Sequence, residues 1–137
     1  MAEKLLTLEV VAPDHQALSV QAESVVVRSP EGELGFLANH TPLIAALVPH
    51  IVRYKEEGGK EGHIFVGGGF VEVSDNHVII LSPSAERPED IDFDRAERAK
   101  ERAEKRLASR ASGEVDVARA EVALRRSIEL LKMQKYL

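Results

Sequence analysis

The apolar period of this chain changes at residue 88, and that change decides what it can fold into. Upstream, no segment carries a convincing 3.6-residue apolar period, and short β-rich runs recur about every ten residues with glycine or proline between them. Downstream, residues 93–111 contain neither glycine nor proline and are dominated by Ala, Arg, Glu and Lys. A strand repeats every two residues and a helix every 3.6, so no single type of element accommodates both patterns. The chain therefore holds two modules of different class.

The first module reads as strands. Leu5-Leu6-Thr7-Leu8-Glu9-Val10-Val11 ends at the turn signal Pro13-Asp14, and Ser24-Val25-Val26-Val27-Arg28 stops at Ser29-Pro30-Glu31-Gly32. Ile51-Val52-Arg53-Tyr54-Lys55 alternates, then turns through Glu57-Gly58-Gly59-Lys60 into His63-Ile64-Phe65-Val66, a hairpin pattern. Phe70-Val71-Glu72-Val73 and His77-Val78-Ile79-Ile80-Leu81 follow, separated by Ser74-Asp75-Asn76. Short strands so punctuated imply an antiparallel sandwich or flattened barrel.

The second module reads as two helices. Pro88-Glu89-Asp90-Ile91-Asp92 places a proline and acids where a helix begins, favourable against its positive end. Ser112-Gly113-Glu114 interrupts, and residues 115–131 resume the helical pattern. Ala96, Ala99, Ala103 and Leu107 share one face of the first helix; Ala120, Ala123, Leu124, Ser127 and Leu131 share one of the second. Small residues on both faces predict an antiparallel hairpin with close backbones. Such a seam buries little apolar area, at about 25 cal/mol per Å², so the hairpin is expected to detach easily.

Charge divides at the same place. Residues 1–85 hold 5 Lys and Arg against 11 Asp and Glu, whereas residues 86–137 hold 13 against 12. The net charge of −5 argues against a nucleic-acid binder. There is no cysteine, which excludes disulfides, thiolate metal sites and thiol catalysis. No apolar run approaches the roughly 20 residues of a spanning helix, and residues 1–11 lack a basic start and a cleavage site. A soluble protein without membrane insertion is expected.

Candidate chemistry is sparse. His15, His40, His50, His63 and His77 fall at no metal-ligand spacing and read as surface or interface histidines, so no metal site is expected. Gly67-Gly68-Gly69 lacks the Lys-Ser/Thr of a phosphate loop and precedes a strand, which suits a bulge or a close backbone approach. No nucleophile elbow or paired-acid pattern appears, so no catalytic residues are expected. The helical charges fit two descriptions. Alternating Arg, Lys and Glu four apart make an ordinary solvated face. Alternatively, Arg98, Arg102 and Arg126 converge across the hairpin, where guanidinium forks would match a phosphate or an acidic protein segment.

Ser29-Pro30-Glu31-Gly32-Glu33-Leu34-Gly35-Phe36-Leu37-Ala38-Asn39-His40-Thr41-Pro42-Leu43 strongly resembles a signature of the epsilon subunits of F-type ATP synthases. So do Gly68-Gly69-Phe70-Val71-Glu72-Val73 and the stretch from Ala85-Glu86-Arg87 to Ile91-Asp92-Phe93-Asp94-Arg95-Ala96. The resemblance covers essentially the whole chain in order. It implies a β-sandwich of about ten strands over residues 1–85 and a regulatory helical hairpin over residues 86–137. It also implies a non-catalytic central-stalk subunit that couples proton translocation to ATP synthesis. The expected partners are the gamma subunit, the c subunits of the membrane rotor ring and, when the hairpin extends, the alpha and beta subunits of the catalytic head. The implied location is peripheral, on the cytoplasmic face of the cell membrane.

The same resemblance implies site residues. Glu31, Gly32 and Glu33, with His40, would face the rotor ring. Arg102, Lys105, Arg106, Arg119, Arg125 and Arg126 would meet an acidic segment of a catalytic subunit when the hairpin restrains hydrolysis. The stretch Ile91-Asp92-Phe93-Asp94-Arg95-Ala96 matches an ATP-binding motif of some bacterial members, with Glu86, Arg102 and Arg126 as further contacts and ATP as a regulatory ligand. One departure stands out: a further basic position falls on Leu130, which cannot hold a phosphate, so weaker ATP binding is expected. The alternative is a hairpin that acts only as a structural brace.

Overall fold

The computed structural model describes residues 4–113 and 115–137. Met1, Ala2 and Glu3, and Glu114 of the expected interruption, lie outside the described residues. The chain divides after Arg87 into two compact units.

The first unit is a sheet of seven strands among the described residues: β1 Leu6–Ala12, β2 His15–Ser29, β3 Gly32–Leu37, β4 Leu43–Glu56, β5 Glu61–Ser74, β6 His77–Leu81 and β7 Ala85–Glu86. They hydrogen-bond in the order β1-β6-β5-β4-β2-β3, with β7 on β5 and a further β1–β2 pairing that closes the circuit. Every pairing is antiparallel except β1–β6. The strict alternation of β1, with Leu6, Leu8, Val10 and Ala12 buried, follows from its period of two. Phe36, Ile64 and Ile80 join them in the interior, each contributing about 1.5–3 kcal/mol of burial.

The strand count differs from the expected ten because three strands run long. β2, β4 and β5 span 15, 14 and 14 residues. β2 pairs β1 through Ala22, then passes over a register shift between Ala22 and Ser24 to pair β3 and β4. Dividing each long strand once recovers the expected number. Residues 15–23 and 43–50 look weak as strands from sequence because Ala, Ser, Gln, Pro and His interrupt their apolar pattern. The glycine triplet lies inside β5, not between strands. Gly68 and Gly69 adopt φ of +89° and +102° there, a left-handed backbone that a side chain resists. The β4–β5 register runs unbroken past them, so the close approach of Gly69 to the Leu81 backbone, not a bulge, is what the triplet permits.

The second unit opens on a 3-10 turn, Pro88–Asp90, followed by α1 Phe93–Ala108. A second 3-10 turn, Arg110–Ser112, leads to Gly113 at φ +77°, and α2 Val117–Lys132 returns. Both helices start later than the sequence pattern suggested, each for the same reason. Asp92 and Asp116 are N-caps, their carboxylates accepting the amides of Arg95 at 3.0 Å and Arg119 at 3.1 Å. The seam buries Ala96 and Ala103 of α1 against Ala120, Ser127 and Leu130 of α2, with Met133 beyond its end. Leu130 is more deeply buried than the expected Leu131. Ser127 is tolerated there because its Oγ donates to the carbonyls of Ala123 and Leu124.

Candidate functional site

Three surfaces carry the candidate residues. The first is the start of α1. Ile91 is buried, Asp92 caps the helix, Ala96 is buried in the seam, and Arg95 is exposed. The motif is thus built to stand Arg95 out of a fixed helix end whose free amides favour anions. Losing the Asp92 carboxylate should lower hairpin stability by about 1 kcal/mol, read as lost helical signal on warming Asp92→Ala. Asp92→Asn keeps a capping oxygen and should lose only a few tenths.

The second surface is a flank of the hairpin. At 100° per residue, Arg95, Arg102 and Arg106 fall on one side of the buried Ala96 and Ala103 stripe, and Glu97, Glu101 and Glu104 on the other. On α2, Arg119 and Arg126 each immediately precede a buried residue, Ala120 and Ser127, as Arg95 and Arg102 precede theirs. In an antiparallel pair, positions with the same offset from the seam share a side. Five arginines therefore line one flank while the Glu residues of α1 occupy the other. Arg98 stands further round α1, and Lys105 and Arg125 lie off this flank, so the expected convergence involves Arg102 and Arg126 without Arg98. A groove of about 300 Å³, lined by Arg106, Val115, Asp116, Arg119 and Ala120, opens at the loop end of the hairpin. It lies about 20 Å along α1 from the 91–96 motif. Leu130, buried in the seam, explains in packing terms why no base stands at that position. Glu86 belongs to β7 of the sheet unit, opposite Phe65.

The third surface is the β2–β3 turn. Ser29 Oγ donates to the Gly32 carbonyl at 3.0 Å and accepts the Glu31 amide at 3.2 Å, while Gly32 takes φ +135°. This holds Glu31 out into solvent; Glu33, also exposed, is engaged by Arg53 at 2.7 Å. His40 is not part of that cluster. It follows Leu37 at the opposite end of β3, roughly 20 Å along the strand from Gly32, where its ring meets Phe36 edge-on at 5.0 Å. The backbone there is fixed by Asn39, at φ +67°, whose amide donates to Asn76 Oδ1 at 2.5 Å.

Two features escaped the sequence. His50, read as a surface histidine, is 4% exposed. Its signal was the apolar company of Val48, Ile51 and Val52 on both sides. The outer face of the sheet also carries Ile44, Phe70 and Leu81, 71%, 59% and 55% exposed. Phe70 lies between Ala46 and Leu81 across β4, β5 and β6, and Ile44 is the next outward residue of β4. A patch of this kind on a stable sheet marks an interaction site. Among the described residues no group of His, Asp and Glu could hold a metal ion, and no helix is long and apolar enough to cross a membrane.

Known proteins match this arrangement. The family described as the beta-sandwich domain of the ATP synthase Delta/Epsilon chain matches residues 5–88, and that described as its long alpha-helix domain matches residues 89–133. The ATP synthase epsilon chain of Nitratidesulfovibrio vulgaris is 49% identical over 132 residues, covering 96% of this chain and 97% of that one. The epsilon chain of Ligilactobacillus salivarius is 44% identical over 139 residues, covering 99% and 100%. Among solved structures, a chain of the Euglena gracilis mitochondrial ATP synthase complex of OSCP, F1 and c-ring superposes with a TM-score of 0.78. It is 28% identical and covers 95% of this chain and 81% of its own. Sheet and hairpin are matched in order and nearly end to end, and the chain belongs to the epsilon-chain family of ATP synthase subunits.

Proposed function

We propose that this central-stalk subunit couples proton translocation to ATP synthesis without catalysing chemistry itself, and that its hairpin restrains ATP hydrolysis and senses ATP. The exposed row of Ile44, Phe70 and Leu81 supplies the apolar face suited to the gamma subunit. The rigid turn bearing Glu31, Gly32 and Glu33 is suited to the polar loops of the c subunits, with His40 assigned to the other end of β3. On this reading the chain acts peripherally, on the cytoplasmic face of the membrane.

The observation that carries the regulatory half is the one-sided arginine flank. Arg95, Arg102 and Arg126 offer guanidinium forks to the phosphates of ATP near the motif. Arg102, Arg106, Arg119 and Arg126, with Lys105 and Arg125 on adjoining faces, offer the same chemistry to an acidic segment of the alpha and beta head. Calorimetric titration of the full chain with ATP should give binding that Arg95→Ala weakens at least tenfold, the value of one charge-assisted hydrogen bond. Unchanged affinity in both Arg95→Ala and Asp92→Asn would leave the motif structural.

One observation favours the brace: Asp92 and Ala96 are already fully employed, as helix cap and seam residue. Removing residues 88–137 and measuring hydrolysis by the assembled complex separates the readings. Faster hydrolysis supports restraint, and unchanged hydrolysis supports the brace.

A further inference from the structure

The candidate lies in the sheet unit, at the base of the β2–β3 turn. His50 is buried, and both ring nitrogens are engaged by main chain. Nδ1 lies 2.6 Å from the Val48 carbonyl, and Nε2 lies 3.0 Å from the Arg28 amide nitrogen. A carbonyl can only accept and an amide can only donate. Nδ1 therefore carries the proton, and Nε2 presents its lone pair to the Arg28 N–H. Both bonds are satisfied only by the neutral ring in this one tautomer.

The position of that bond gives it leverage. β2 and β4 pair residue by residue up to Val26 opposite Arg53, and the ladder stops there. The imidazole supplies an acceptor to β2 two residues further on, where the backbone of β4 no longer does. Beyond Arg28 the chain enters Ser29 and the turn that holds out Glu31.

We propose that His50 is an acid-labile latch: protonation of Nε2 sets two donors face to face, breaks the bond to Arg28, and frees the base of the β2–β3 hairpin. By strand register, the ionisable groups nearest His50 are Arg28 on β2, Glu33 on β3, Arg53 on β4, His63 on β5 and Glu86 on β7. Glu33 and Arg53 are paired with each other, and Arg28 meets the ring through its backbone amide. Because the fold favours the neutral ring, the latch's contribution is complete above the ordinary imidazole value of about 6.5 and is lost as pH falls below it.

The test uses the full chain, labelled with ¹⁵N, free in solution, so its outcome is independent of any rotor-ring contact. Imidazole ¹⁵N shifts at pH 8 are expected to show the proton of His50 on Nδ1. Exchange of the Arg28 amide, corrected for intrinsic rates, should lose about tenfold of its protection between pH 8 and pH 5, while that of core Val71 holds. In His50→Gln, which has no titrating ring, the ratio of Arg28 to Val71 protection should not change with pH. The proposal is overturned by a proton on Nε2 at pH 8, by Arg28 protection equal at both pH values, or by Arg28 and Val71 falling together. If His50→Gln fails to fold, the wild-type measurements decide alone.

Discussion

Gly69→Ala is expected to abolish the native sheet or to lower its stability by about 4 kcal/mol. A Cβ at residue 69 would overlap the carbonyl oxygen of Leu81 and lie 2.9 Å from both the Leu81 carbonyl carbon and Ser82 Cα. All three neighbours belong to backbone, so no rotamer change relieves the clash. The backbone would also have to keep φ at +102°, a region that L residues resist. The damage falls on the β5–β6 pairing, where Phe70 opposes Leu81, and thus on the core strands either side. Gly58 is the control, with φ +91° but nothing within 4 Å of an added Cβ. Its alanine variant should lose only about 1 kcal/mol, the conformational cost alone. Urea denaturation of the full chain, followed by near-ultraviolet signal from Tyr54, reads both. A Gly69→Ala midpoint within that of Gly58→Ala would show that the approach of residue 69 to the Leu81 backbone is not tight.

The second large effect concerns the other unit. Ala103→Asp places a carboxylate at a seam position that is 2% exposed, among buried positions of the hairpin occupied by Ala96, Ala120 and Ser127. An unpaired buried charge costs several kcal/mol. The seam offers little to set against it, because α1 buries only Ala96 and Ala103 and a methyl group is worth about 0.8 kcal/mol. The helices should come apart, seen as a loss of most signal at 222 nm. The sheet should stay folded, since its buried cluster draws only on residues 6–85. Glu104→Asp, one position along and exposed, should keep the helical signal. Retained helicity in Ala103→Asp would mean that the seam tolerates charge. Under the regulatory reading, the same variant in the assembled complex should hydrolyse ATP as fast as one lacking residues 88–137.

Where the sequence was readable, one physical signal dominated. β6 was legible to the residue because His77-Val78-Ile79-Ile80-Leu81 is apolar, β-branched and bounded by a polar turn. The two helices were legible from composition, yet their starts were placed early because an aspartate N-cap looks like a first-turn acid in sequence. The long strands were half hidden. Their extra residues pair in the sheet through backbone, and backbone pairing leaves no mark on residue type. The arginine flank was legible only as alternating charge. Which arginines share a side depends on where the seam lies, and Leu130 shows that the seam itself shifted by one residue near its end. The burial of His50 had a signal in its apolar neighbours, but its partner had none, since Arg28 lies 22 residues earlier in the chain.

The alanine seam also sets a scale for control by concentration. A ligand that binds one arrangement of a chain adds RT ln(1 + [L]/Kd) to it, about 2.7 kcal/mol when free ligand stands at a hundred times its Kd. Against a leucine-packed bundle that increment changes little. Against a seam to which α1 contributes only two buried alanines it is a large share of the interaction, and it grows only logarithmically as ligand accumulates. Under the regulatory reading, a hairpin so built would report whether a plentiful metabolite has fallen through a threshold near its Kd, and it would need no tight binding to do so.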